Sequence, residues 1–287
     1  MADLITQGWD EYRLIDSGDG RKLERYGKFT IDRPEPQAMW SRQLPDHVWQ
    51  NADAIFAGDQ DADEGRWNFS GKAVPEKWET NYNGTKFYGR LTPFRHVGFF
   101  PEQCSHWDFA DAQLKKAENP KLLNLFAYTG VASLLAAKAG AQVTHVDASK
   151  KAIGWAQENQ QLARMEDAPI RWICEDARKF VAREGRRGNK YNGILLDPPK
   201  FGRGANKEVW NLFDDLKEMT ELCRDILAPE NSFLILTTYA VRASHYALYE
   251  LCREIFPEAN VESGELVLEE EKSGRKLSTS LFCKVIR

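Results

Sequence analysis

The sequence predicts an α/β fold: a Rossmann-like, nucleotide-binding parallel sheet that ends in an antiparallel hairpin, preceded by a small β-rich domain. Three observations predict it. From Lys121 onward, short apolar runs alternate with helical patterns, which is the signature of βαβ units and a parallel sheet covered on both faces. Val261–Glu269 and Leu277–Ile286 are strand-like runs with only Glu270–Lys276 between them, too short for a crossover helix, so they pair as a hairpin. The residues before Cys104 are rich in aromatic and turn residues instead. The expected division is a β-rich domain over 1–105 and an α/β domain over 106–287.

Each element follows in order. In the first domain, YRLID and KLERY flank a Ser-Gly-Asp-Gly turn, a hairpin signal. Glu64–Phe69 and Lys86–Leu91 read as further strands, and Gln50–Gly65, dominated by Ala, Asp and Gly, reads as a polar loop or short helix. In the second domain, LLNLFA is a buried strand and 129–140 an Ala/Leu-rich helix ended by Gly140. AQVTHVD is the second strand, followed by the helix SKKAIGWAQENQQLA with apolar residues at three-to-four spacing. IRWICED, KYNGILLD and NSFLILTTY are the third to fifth strands, with helices over 209–227 and 243–256.

Composition narrows the function. The chain of 287 residues is 42% hydrophobic and 29% charged, ordinary for a globular protein. No stretch is long and apolar enough for a membrane span, and MADLITQGWDEYRL is not a secretory signal, so the expectation is a cytoplasmic protein without a membrane partner. The five cysteines are dispersed without CxxC or Cys/His spacing, which fits reduced, mostly buried thiols and no metal site. The net charge is −4, not the bulk footprint of a nucleic-acid binder. Residues 1–110 carry 13 basic against 18 acidic residues and the remainder 26 against 25, so a nucleic-acid contact has to come from a local patch.

In an open α/β sheet the ligand lies beyond the carboxyl ends of the strands, where strand order reverses. Four strand ends carry suggestive residues. Ala127-Tyr128-Thr129-Gly130 opens a helix whose N–H groups can face a polar ligand; the plain alternative is a Thr-capped turn. Asp147, followed by Ala148 and Ser149, places a carboxylate where ribose hydroxyls are bound, in either an adenosyl or a nicotinamide cofactor. Asp176 and Ala177 can meet an adenine amino group, or Asp176 simply caps a helix. Asp197-Pro198-Pro199-Lys200 closes the fourth strand with two residues of fixed φ and no N–H. A carboxylate and free carbonyls on a rigid turn form an acceptor set for an N–H group, which suits methyl transfer to nitrogen: in-line positioning and electrostatics without a protein nucleophile.

With these sites in order, the sequence resembles the bacterial large-subunit ribosomal RNA methyltransferases that make 5-methylcytosine or 7-methylguanine, which are class I methyltransferases. The residues that carry the resemblance are LLNLFAYTGVASLLAAKAGA, VTHVDASKKAIGWAQEN, CEDARKF, DPPKFGRG and, upstream, VGFFPEQCSHW. It covers about residue 85 to the C-terminus. It implies S-adenosylmethionine as cofactor: Asp147, Ala148 and Ser149 at the ribose, Asp176 and Ala177 at the adenine, Ala127–Gly130 at the methionine part. Glu102 and Gln103 would close the site, Asn159 would brace the second-strand loop, and Asp197–Lys200 would line the transfer side. The 5-methylcytosine members need a cysteine after the fifth strand, whose thiolate attacks the ring. Here that place reads Leu236-Thr237-Thr238-Tyr239-Ala240, with Cys174 and Cys223 expected in the core, so nitrogen methylation is the implied chemistry. No RNA-binding PUA domain is recognisable in the front end.

The expectation is therefore methylation of a base nitrogen in RNA. Phe201 would stack on the target base, with Lys200, Arg203 and Lys207 near phosphates and Arg90 and Arg95 adding to the patch. The competing readings are a small-molecule or protein acceptor, a non-catalytic RNA-binding relative, and an NAD-dependent oxidoreductase, which the missing GxGxxG disfavours. Trp40, Trp49, Trp67, Trp78 and Tyr82 are a stacking surface or, more in keeping with burial preferences, the core of the first domain.

Overall fold

A computed structural model describes residues 2–58, 65–71, 74–204, 208–239 and 241–287. The chain forms two units: Met1–Leu4 with Ser105–Leu266 and Ser280–Arg287, and Ile5–Cys104 with Val267–Thr279. The chain passes from one unit to the other at Cys104/Ser105. The exchanges at the two ends of the chain were not foreseen.

The first-named unit is built on an eight-stranded sheet. Its alternating part runs β1 (Lys121–Leu125), α1 (Val131–Lys138), β2 (Gln142–Asp147), α2 (Lys150–Leu162), β3 (Ile170–Cys174), α3 (Ala177–Arg186), β4 (Gly193–Leu196), α4 (Leu212–Ile226), β5 (Phe233–Tyr239) and α5 (His245–Ile255). The chain then turns back through β6 (Asn260–Glu269) and β7 (Lys276–Ile286). The order across the sheet is Ala2–Ile5, β6, β7, β5, β4, β1, β2, β3. Strands β3, β2, β1, β4 and β5 are parallel, and β7 runs antiparallel to β5 from Phe233↔Ile286 to Tyr239↔Ser280. The expected terminal hairpin is present.

Burial explains the continuous apolar strands. Leu123, Leu125, Ile194, Leu196, Leu234 and Leu236 face a core closed by α3, α4 and α5, while Leu122, Val143, Leu195, Phe233 and Ile235 face the other side, against α1 and the Cys104–Leu114 helix. Both faces are covered, so strands without polar alternation are what this sheet needs. Strand order reverses between β1 and β4, which fixes where a ligand of such a sheet sits. A cavity of about 430 Å³ lined by Lys121, Thr144, Arg171 and Tyr191 lies at the opposite, amino-terminal ends of β1–β3.

The other unit carries a five-stranded sheet over Tyr12–Gly18, Arg21–Tyr26, Phe29–Pro34, Ala54–Ala57 and Arg66–Phe69, and a two-stranded one over Trp78–Tyr82 and Thr85–Gly89. The first hairpin is as expected. The Gln50–Gly65 reading is corrected: Ala54–Ala57 is a strand, parallel to Phe29–Pro34 and antiparallel to Arg66–Phe69. Trp49, Trp78 and Tyr82 are buried, so these aromatics are core. Among the described residues, no helix is long and apolar enough to cross a membrane.

Candidate active site

Three tight turns converge at the carboxyl ends of β1, β2 and β4. The turn after β1 is the most contorted. Phe126 and Tyr128 take left-handed backbone (φ 54° and 49°), as does Gly130 (φ 79°). Each such non-glycine residue costs about 1–3 kcal/mol unless its surroundings enforce it. Gly130 has no alternative, because a Cβ there would stand 2.9 Å from the Ala156 Cβ and 3.4 Å from the Trp172 ring. Gly130 is the N-cap of α1 and has no side chain with which to cap that end.

Two side chains hold the backbone of this turn by hydrogen bonds. Asp147, at the end of β2, accepts the Tyr128 N–H on Oδ2 at 2.9 Å and the Ser149 N–H on Oδ1 at 2.8 Å. Each oxygen keeps a lone pair for a ligand. Burial holds this carboxyl above its usual range, against the pull of the Ser149 and Tyr128 amides. Asn159 is fully buried on α2 and donates its amide to the Thr129 carbonyl at 2.9 Å. Asn159 was expected against the loop after β2; this hydrogen bond ties it to the loop after β1. The sequence hides this because the partner is 30 residues away.

Ser149 and Asp176 both act as helix caps. Ser149 Oγ accepts from the Ala152 amide at 3.3 Å and Asp176 Oδ1 from the Lys179 amide at 3.0 Å. Ala148, half-buried, and Ala177, buried, complete these two turns. Cys174 is not in the core as expected. It is exposed at the end of β3, with its thiol 3.7 Å from the Ala148 carbonyl, whereas Cys223 is buried, with burial pushing its thiol well up. Glu175 escaped the sequence reading; it forms a two-pronged ion pair with Arg183 at 2.5 and 2.6 Å.

The Asp197–Lys200 turn leaves β4 with Asp197 half-buried, Pro198 buried, and Pro199 and Lys200 exposed. The expectation that its carbonyls are all free is corrected. The Pro199 carbonyl accepts the Trp210 indole N–H at 2.7 Å and the Lys200 carbonyl the Leu212 amide at 3.0 Å. Among the described residues, the Pro198 carbonyl accepts no hydrogen bond. Trp210 also packs its ring 5.0 Å from that of Phe126, so one buried side chain joins the turn after β4 to the turn after β1. After the prolines the chain forms a short ribbon, Phe201–Arg203 paired with Val209–Asn211, where a loop and an earlier helix start were expected. Lys207 and Ala240 lie outside the described residues.

Glu102 and Gln103 belong to the other unit, in a one-turn 3₁₀ helix. Glu102 is 4% exposed, and burial raises its carboxyl pKa against the attraction of Lys22 and Arg33.

The strand order, the terminal hairpin and the strained glycine turn beside the Asp147 carboxylate are those of a nucleotide-cofactor α/β enzyme of the methyltransferase type. The chain is 55% identical, over its whole length and 93% of the other chain, to a crystal structure of the S-adenosylmethionine-dependent methyltransferase from Agrobacterium tumefaciens, with a TM-score of 0.96. Residues 108–230 match the family model described as Conserved hypothetical protein 95. The chain is also 29% identical to the Ribosomal RNA large subunit methyltransferase I of Aeromonas hydrophila, over 91% of this chain and 68% of that one. It is 33% identical to the Ribosomal RNA large subunit methyltransferase K/L of Shewanella frigidimarina, over 78% of this chain and 34% of that one. It spans between 25% and 68% of the length of the curated relatives it matches. This chain belongs to the S-adenosylmethionine-dependent methyltransferases.

Proposed function

We propose that this protein transfers a methyl group from S-adenosylmethionine to a ring or exocyclic nitrogen of a base in RNA, ribosomal RNA first among the candidates. The observation that carries the reading is the pairing of two preorganised turns, Ala127–Gly130 held by Asp147 and Asp197–Lys200 held by Trp210, on either side of the strand-order reversal. The residues present fit the cofactor: both Asp147 oxygens keep acceptor capacity beside the strand-order reversal, on a turn that Gly130 lets pack closely against Ala156 and Trp172. Bound there, S-adenosylmethionine supplies an electrophilic methyl group.

The chain's own residues divide the remaining work. Asp147, with the Ala148 and Ser149 backbone, holds the ribose; Asp176 and Ala177 border the adenine; Ala127–Gly130 face the methionine part. Asp197 and the Pro198 carbonyl accept hydrogen bonds from the acceptor N–H. They align its lone pair and stabilise the positive charge that grows on nitrogen during attack. Pro199 keeps this acceptor set rigid, and Lys200, Phe201 and Arg203 meet the RNA. Glu102 and Gln103 are assigned to the cofactor side by the resemblance of VGFFPEQ to the related rRNA enzymes. RNA is favoured as acceptor because the relatives from Aeromonas and Shewanella are named as ribosomal RNA large subunit methyltransferases. Nitrogen is favoured over ring carbon because Thr237-Thr238-Tyr239 stands where a nucleophilic cysteine is required.

The test is nucleoside mass spectrometry of total RNA from a strain lacking the gene against its parent. One N-methylated nucleoside should fall in the deletion strain and return with the wild-type gene but not with Asp197→Ala. An unchanged nucleoside profile would contradict an RNA acceptor.

A further inference from the structure

We propose that the outward face of the Phe201–Arg203/Val209–Asn211 ribbon is a stacking platform for an unpaired nucleotide adjoining the target, and not for the target base itself. The inference rests on the RNA reading above and specifies which nucleotide this surface takes. The register pairs Phe201 with Asn211, Gly202 with Trp210 and Arg203 with Val209. Side chains alternate across a strand, so Gly202 and Trp210 share one face and Phe201, Arg203 and Val209 the other. The first face is filled by the turn after β4. Trp210 donates to the Pro199 carbonyl, and a Cβ on Gly202 would lie 3.4 Å from Pro199 Cγ. Phe201 therefore stands on the side of the ribbon turned away from the acceptor set, where it cannot lie flat on a base held by Asp197 and Pro198.

The outward face has the chemistry of a base-stacking surface. Phe201 is 56% and Val209 52% exposed, and Phe213, 62% exposed, follows at the start of α4. The Arg203 guanidinium carbon lies 6.0 Å from the centre of the Phe201 ring. Lys200 and Arg203 are exposed and have no carboxylate partner among the described residues. Of the nearby acids, Glu208 is held by Lys179 at 2.6 Å and Asp215 by Arg178 at 2.7 Å, while Asp214, next to Phe213, is exposed without a cation partner among the described residues. An exposed ring and a planar cation, side by side with unpaired positive charge, suit a single-stranded base with its phosphate. An apolar protein partner would leave Arg203 and Lys200 unpaired. A flexible nucleotide next to the target takes both the ring and the charge.

The experiment is fluorescence anisotropy of an end-labelled oligouridylate, which has no secondary structure, with the full-length protein and S-adenosylhomocysteine at low salt. Phe201→Ala should weaken binding about 5- to 100-fold, the range of one lost base stack, and Phe201→Trp should keep it. Arg203→Ala should weaken binding and lower the salt slope by about one. Calorimetric affinity for S-adenosylmethionine should be the same in all variants, which reports an intact fold. Unchanged oligonucleotide affinity in Phe201→Ala, with RNA still methylated by the wild type, overturns the platform alone. A wild type that neither binds the probe nor labels RNA overturns the platform and the RNA reading together.

Discussion

Asp147 holds the backbone with both oxygens and, in the proposed role, offers the same two to the ribose. Losing its charge loosens the turn after β1 and removes the ribose acceptor. Hydrogen bonds to charged groups are worth about 1.5–3 kcal/mol, so Asp147→Asn should bind S-adenosylmethionine at least about 10-fold more weakly by calorimetry, with NAD binding neither form. Tighter or equal binding would remove Asp147 from the cofactor site. Cys174 offers a second check, because it is the one exposed thiol of the five and sits against Ala148. Alkylation of Cys174, followed by intact-mass spectrometry, should slow when S-adenosylmethionine is present. A rate indifferent to the cofactor would argue against adenine at the Ala148–Asp176 edge. Gly130→Ala combines a forbidden approach to Ala156 with a left-handed φ; it should lower unfolding stability by about 1–3 kcal/mol in denaturant titration.

At the scale of elements, Trp210 is the link between the two turns. Trp210→Phe keeps a ring against Phe126 but deletes the donor to the Pro199 carbonyl. We expect kcat to fall about 10-fold or more with little change in cofactor affinity, because only the acceptor turn loses its restraint. A variant with wild-type kcat would free that turn from Trp210. This link also marks the limit of what the sequence discloses. The strands and helices of the parallel sheet are legible because apolar runs and three-to-four spacing are local signals. Asp197-Pro198-Pro199 is legible because proline stiffness is intrinsic. The partner of Pro199 is not, since a three-residue strand such as Val209–Asn211 has too little length to show a period. Ala54–Ala57 was missed for a related reason: it is a short run beside an acidic stretch, and its parallel pairing with Phe29–Pro34 is a tertiary choice. Asn159 is legible as a brace, but its bond to the loop after β1 is not, because spacing along α2 does not say which turn lies opposite.

At the scale of the molecule, the unit formed by Ile5–Cys104 and Val267–Thr279 is organised around buried charge. Glu24, fully buried, receives Arg33 through two contacts at 2.5 and 3.0 Å and the hydroxyls of Tyr12 and Tyr26 at 2.8 and 3.0 Å. Lys22 pairs with Glu35 at 3.0 Å, both side chains being within 5% of full burial. Burial alone would raise the Glu24 carboxyl, but Arg33 and Lys22 outweigh it and bring it down to about 2. The folded value is below the unfolded 4.5. The stability Glu24 contributes is therefore complete above about pH 4.5 and is lost as pH falls toward 2. Glu24→Gln should remove this part of the acid transition in circular dichroism and cost about 3–5 kcal/mol at neutral pH, because Arg33 is left as an uncompensated buried charge. An acid limb identical to wild type would assign the transition elsewhere. The same unit depends on the far end of the chain: Arg275 binds Asp16 at 2.7 Å and Glu270 at 2.9 Å, both carboxylates almost fully buried. Its fold is therefore specified by residues more than 250 positions apart.

The proposed function has two preorganised turns bring a methyl group from S-adenosylmethionine to RNA. Its most direct test is incubation of the protein with methyl-labelled S-adenosylmethionine and ribosomal RNA from the strain lacking the gene, followed by digestion and quantification of labelled nucleosides. Label should enter one N-methylated nucleoside and be reduced at least about 100-fold in Asp197→Ala, a loss of the size of a preorganised electrostatic contact. A protein that binds S-adenosylmethionine but leaves the RNA unlabelled would contradict it.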